Sequence, residues 1–185
     1  MIDLFNFNIM KVLTIFSISP GSRFNRRTIK EKTNMPNVVL DKTLYTLINL
    51  NILIKEKNLF SINHKNLEIK GILKILYEKY SIFKQLPLRE YFLIVNIKDA
   101  LLTVREIGDV YLFGSYAKLI FSESSDVDIA IVSSQINKRE VDKTIKKLER
   151  KHKKKIEIHY FTKDFYKNKR DSLVKEILQH GIKII

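Results

Sequence analysis

Apolar residues in the first third of the chain recur at helical spacing and then switch to the two-residue spacing of strands. Leu4, Phe7, Val12, Leu13 and Phe16 predict a first helix, ended by Pro20-Gly21. Arg26 to Thr33 forms a short second helix that Asn25 is placed to cap, and Met35-Pro36 breaks the pattern. Asn37 is the expected cap of a third helix, in which Leu40, Leu44, Leu47 and Ile48 make one apolar stripe. The run Ile52 to Ile62 then predicts strand, tight turn at Lys57-Asn58, strand. Two more helical patterns follow, Leu67 to Phe83 and Leu88 to Ile107, separated by Pro87.

From Asp109 onward strand and helix patterns alternate. Val110–Phe113 predicts a strand, Ser115 the start of a short helix, and Val127–Val132 a second strand. Lys138–Lys151 is a charged amphipathic helix with Val141, Ile145 and Leu148 on its apolar side. Ile156–Phe161 predicts a third strand, with Glu157 and His159 on one face and Ile156, Ile158 and Tyr160 on the other. A last helix is expected over Phe165–His180, stopped by Gly181. These patterns give an α/β (α+β) two-domain chain: residues 1–66, a connector helix over 67–87, and a second domain over 88–185. There is no internal repeat or low-complexity tract.

Composition narrows the classes of function. The chain has 185 residues, 45% hydrophobic and 29% charged, enough to bury real cores. It has no cysteine, which excludes disulfides, thiol catalysis and cysteine-based zinc sites. The start Met1-Ile-Asp-Leu-Phe lacks the order of a signal peptide, and no apolar run approaches the roughly 20 residues needed to span a bilayer. A cytoplasmic protein without a membrane partner is the expectation. Net charge is +14. Residues 1–66 carry ten Lys/Arg against four Asp/Glu, and residues 150–185 eleven against four; residues 108–149 carry six against seven. Two basic ends around a near-neutral middle would attract nucleotide or nucleic acid, although a lysine-rich composition throughout accounts for part of the excess.

The chemistry concentrates between Val110 and Val132. An apolar strand ends in Gly114-Ser115, a polar loop follows, and the next strand opens with Asp126 and Asp128. Residues two apart share a strand face, so the two carboxylates point the same way and repel unless a divalent cation lies between them. Gly-Ser at a strand end offers backbone N–H groups and a hydroxyl for phosphate. Gly114-Ser115, ten residues and Asp126-x-Asp128 resemble the GS-x10-D-x-D signature of the DNA polymerase β-like nucleotidyltransferase superfamily, particularly its minimal members. Members often have glycine four residues after the serine; this chain has Leu119 there.

The resemblance implies a small mixed-sheet nucleotidyltransferase fold for residues 88–185. It implies Asp126, Asp128 and Glu157 as catalytic and metal-ligating acids, with Glu157 standing where the family commonly has Asp. Gly114, Ser115 and Lys118 become the nucleotide-binding residues, and magnesium the cofactor. Two such ions about 3.5–4 Å apart would serve the attacking and leaving oxygens, with ATP as substrate. His159 shares the face of Glu157, but histidines 64, 152, 159 and 180 show no metal-ligand spacing, so it is assigned a supporting role. Tyr116 is a second candidate to face the site.

Residues 1–66, three helices and a hairpin, resemble a winged helix-turn-helix. Arg23, Arg26, Arg27, Lys30 and Lys42 would contact nucleic acid, yet base-reading groups are sparse on the third helix, and such modules also bind proteins or self-associate as homo-oligomers. The leading expectation is transfer of AMP from ATP to a hydroxyl on a macromolecule, as in small family members that act as antitoxins by adenylylating a HEPN-domain partner. The alternatives are a DNA-binding transcriptional regulator with a sensing or degenerate transferase module, and a transferase acting on a small molecule or RNA.

Overall fold

The computed structural model describes residues 6–185, so Leu4 of the expected first helix lies outside the described residues. The chain divides into two compact units, one reaching to Phe92 and one running from Leu93 to Ile185. In the first, α1 (Phe7–Ile18) buries Ile9, Val12, Leu13, Ile15 and Phe16, apolar on nearly every side as a central helix must be. The Lys11 ammonium, also buried there, donates to the Thr33 carbonyl at 2.9 Å. β1 (Phe24–Asn25) leads into α2 (Arg26–Thr33), whose first turn is capped by the Asn25 side chain accepting from the Thr28 amide.

Asn37 does not cap the third helix. It is the first residue of α3 (Asn37–Asn49), with Pro36 preceding it, and its side-chain oxygen accepts from Arg26 at 3.3 Å instead of from the helix. β2 (Leu53–Glu56) and β3 (Leu59–Ile62) pair through the Lys57-Asn58 turn, where Lys57 takes φ +54°. β1 adds to β3, giving a three-stranded sheet in the order β1-β3-β2. α4 (Ile69–Ser81), expected as a connector, contributes Ile69, Leu73 and Leu76 to the core of this unit. α5 (Leu88–Leu101) stops before the expected Ile107; turns beginning at Leu102 and Thr103 lead to Glu106 and Gly108, both at positive φ.

The second unit is built on β4 (Asp109–Phe113), β5 (Val127–Val132), β6 (Ile156–Phe161) and β7 (Ile182–Lys183), in the order β6-β5-β4-β7. β5 is antiparallel to β4 and parallel to β6, and β7 is antiparallel to β4. The parallel pair is joined by α7 (Lys138–His152), which buries Val141, Ile145 and Leu148. α6 (Gly114–Ala117) follows β4 directly. β5 is apolar and buried at every position except Asp128, which suits a strand with neighbours on both sides. The expected helix over Phe165–His180 is in fact two elements. Phe165 sits in a 3₁₀ turn (Lys163–Tyr166), and α8 (Ser172–His180) begins where the Asp171 carboxylate accepts from the Leu173 and Val174 amides. Val174, Ile177 and Phe165 cover the sheet face formed by Phe113, Ala130 and Val132. Among the described residues no helix is long and apolar enough to cross a membrane.

Candidate active site

The strand register assembles the site. In the parallel β5–β6 pair Asp128 lies beside Glu157 and Ala130 beside His159, while in the antiparallel pair Phe113 lies beside Asp128. Alternation therefore places Asp128, Glu157 and His159 on the face that α8 covers farther along. One ligand atom from each of these three residues lies within 4.8 Å of the other two. His159 Nε2 is 3.4 Å from Glu157, and its ring meets the Phe113 ring edge-on at 5.2 Å between centroids.

Gly114 closes the other side of the Asp128 carboxylate. Its φ is +66°, and a Cβ on it would stand 2.2 Å from Asp128 Oδ2. Glycine is thus required twice, for a left-handed backbone and for room beside the acid. Leu119, the residue at the family's usual glycine position, has φ +61°. The turn keeps the conformation that glycine favours, and a leucine bears its strain.

The loop leading to Asp126 is ordered by its own serines. The Ser122 amide donates to Ser125 Oγ at 2.8 Å, and the Ser122 and Ser124 hydroxyls lie 3.0 Å apart. Lys154 ties the loop to the residues before β6 by donating to the Glu123 carbonyl at 2.8 Å. Tyr116 does not face the site: it is fully buried, stacked on Phe121 at 4.4 Å. The Lys154 ammonium lies over its ring, 5.4 Å from the centroid.

Asp126 behaves differently from its neighbour. It is not part of the cluster of Asp128, Glu157 and His159; its carboxylate instead accepts from Lys155 at 2.6 Å. Lys155 Nζ is also 3.5 Å from Glu157, so one ammonium lies between two of the three acids. Lys118, expected to meet phosphate, is paired with Glu176 of α8 at 2.6 Å. Neither pairing is visible in the motif, because Lys155 and Glu176 approach only through the β6 register and the docking of α8. For His159 a signal exists in the sequence: it shares the strand face of Glu157.

Charge in the cluster is incompletely balanced. Burial first, and then the Glu157 carboxylate, pushes the Asp128 carboxyl above its ordinary range, with Asp126 and Glu176 adding to the effect and His159 opposing it. The hydrogen bond to Asp126 raises Lys155 above the usual lysine value. The side chains of Glu157 and Asp126 are 47% and 35% exposed, so the acids stand on an open ledge and not in a closed cavity.

Of the predicted nucleic-acid contacts, Arg23 is paired with Glu56 at 3.0 Å, Arg27 with Glu31 at 2.9 Å, and Arg26 with both Asp41 oxygens at 2.6 and 2.9 Å. Lys30 lies in the last turn of α2, and Lys42 on the exposed side of α3.

Residues 95–185 match the family model described as Polymerase beta, Nucleotidyltransferase. A crystal structure of the toxin–antitoxin MntA–HpeT, in mutant form, is similar at 17% identity and a TM-score of 0.34, covering 50% of this chain and 68% of that chain. No curated protein matches the chain.

Proposed function

Because residues 95–185 match the polymerase β nucleotidyltransferase family model, we propose that this unit transfers a nucleoside monophosphate, AMP from ATP, to a hydroxyl on a macromolecular acceptor. The observation that carries the reading is the register placing Asp128 beside Glu157, with Gly114 against the Asp128 carboxylate. The carboxylates of Asp128 and Glu157, with Asp126 adjacent, are the hard oxygen donors that suit magnesium or manganese, and the His159 imidazole stands beside them. Asp126, Asp128 and Glu157 would hold it, and when bound it supplies positive charge against the phosphate oxygens.

The chain's own residues do the rest. Gly114, having no side chain, lets the triphosphate approach the backbone, and the Ser115 hydroxyl donates to a phosphate oxygen. Lys118, positioned by Glu176, adds positive charge on the same side. The acceptor oxygen forms its bond to the α-phosphorus as the bond to the bridging oxygen breaks and pyrophosphate leaves. The acceptor proton passes to Glu157, which His159 orients. The open ledge favours an acceptor carried by another macromolecule, and a HEPN-type partner protein is the first candidate. Incubation with magnesium and each α-labelled nucleoside triphosphate, with RNA and with co-purified proteins, identifies base and acceptor. Label on a protein hydroxyl supports the reading, label only on RNA ends overturns the protein as acceptor, and label only on small molecules overturns the macromolecular acceptor itself.

We read the order α1-β1-α2-α3-β2-β3 as a winged helix-turn-helix-like module. Carboxylates take up the three arginines of this module, Arg23, Arg26 and Arg27, while Val38 and Tyr45 on α3 are 80% and 67% exposed. That combination favours a protein contact, including self-association, over DNA as the partner of this face.

A further inference from the structure

The regional charge count hides a feature that the fold brings into view. On α7, Arg139, Lys143, Lys146, Lys147 and Arg150 line one open groove of about 480 Å³. They fall on the side of the helix opposite the buried Val141, Ile145 and Leu148. Four of the five belong to the near-neutral middle of the chain, where seven acids, Asp126 and Asp128 among them, offset the cations in a sum although only Asp142 lines the groove. We propose that this face of α7 is a docking surface for the phosphate backbone of a nucleic acid.

Three observations carry the assignment. First, among the described residues none of these five cations is in an ion pair. The groove's single acid, Asp142, is engaged by the Tyr160 hydroxyl at 2.8 Å. Second, the stripe puts like charges four residues apart at Arg139–Lys143, Lys143–Lys147 and Lys146–Arg150. Such pairs weaken a helix, so helix stability does not account for them. The helix dipole favours cations only in the last turn, which explains Arg150 but not Lys143, Lys146 or Lys147. Third, the groove has no aromatic or aliphatic residue in its lining, and four of its six residues are lysine or aspartate, types depleted in protein interfaces. A phosphate backbone needs no apolar anchor and is bound by such a row of charges. From Arg139 to Arg150 the row is about 16 Å long, spanning several phosphates.

The test uses the full chain and fluorescein-labelled probes about 20 nucleotides long, enough to cover the row with phosphates to spare: single-stranded RNA, single-stranded DNA and duplex DNA. Anisotropy titrations over a salt series compare the wild type with the combined variant Lys143→Gln, Lys146→Gln, Lys147→Gln and with Arg26→Gln, each checked for folding by its thermal melt. The expected result is a loss of affinity of about tenfold or more in the triple variant. The slope of log K against log salt should fall by about two for a single strand, at about 0.7 per lost phosphate contact. Arg26→Gln should bind as the wild type does. The three probes show which nucleic acid is preferred. A folded triple variant with unchanged affinity and slope overturns the proposal, as does binding of polyglutamate equal to that of the probes.

Discussion

Charge is handled in opposite ways in the two units. In the first, the arginines that attract attention in the sequence each face a carboxylate: Arg23 with Glu56, Arg26 with Asp41, Arg27 with Glu31. In the second, Asp128, Glu157 and His159 converge with Lys155 as the nearby ammonium, and the cations of α7 face solvent. Compensated charge is explained by the fold alone. Charge that the fold gathers on one face without compensating it calls for a ligand, and two such places lie in the second unit.

Gly114→Ala strikes this contrast hardest after removal of an acid. The new methyl would meet Asp128 Oδ2 at 2.2 Å, and a left-handed backbone adds about 1–2 kcal/mol of strain. Thermal melts should show the loss of stability, and transfer should fall on the order of 100-fold because the acid is displaced.

Asp128 itself supplies a prediction independent of activity. Its folded-state pKa is raised, so the folded protein holds that proton more tightly than the unfolded chain does. The associated stability is complete below the ordinary value of 3.8 and is lost as pH rises through the folded-state value. At neutral pH without metal, Asp128→Asn should therefore melt at or above the wild-type temperature. Magnesium should raise the wild-type melting temperature and leave the variant unmoved. A wild type indifferent to magnesium and manganese would remove the cation from this account.

Leu119→Gly should act in the opposite sense to Gly114→Ala. Relief of the left-handed leucine, offset by glycine's greater freedom when unfolded, should raise stability by up to about 1 kcal/mol in a denaturant titration. Smallest is Arg26→Gln. Its ion pair with Asp41 is solvent-exposed, so the melt should barely move and its salt dependence should weaken.

How far a feature can be read from the sequence depends on how local it is. Helices α1, α2 and α3, the hairpin, and strands β4, β5 and β6 are legible because their patterns repeat over successive turns or alternate residues. The glycine, the serine and the three acids stand out through fixed spacing along one stretch of chain and one further strand. The Asn37 cap is lost because Arg26, distant in sequence, competes for its oxygen. The last helix is not continuous because Asp171 offers a cap inside an otherwise helical pattern. The Lys155 and Glu176 pairings depend on how β6 and α8 dock, whereas His159 is legible because it shares the strand face of Glu157. The free face of α7 is obscured for a related reason, since a charge sum cannot tell which acids lie beside the cations and which lie elsewhere in the fold.

The most direct measurement is transfer of label from α-labelled ATP with magnesium, comparing the wild type with Asp128→Asn and Glu157→Gln at matched folded fraction. Loss of at least about 100-fold in both variants, with their melting behaviour retained, is the predicted result. Transfer that survives in either folded variant would contradict the assignment of the β5–β6 carboxylates as the reacting centre.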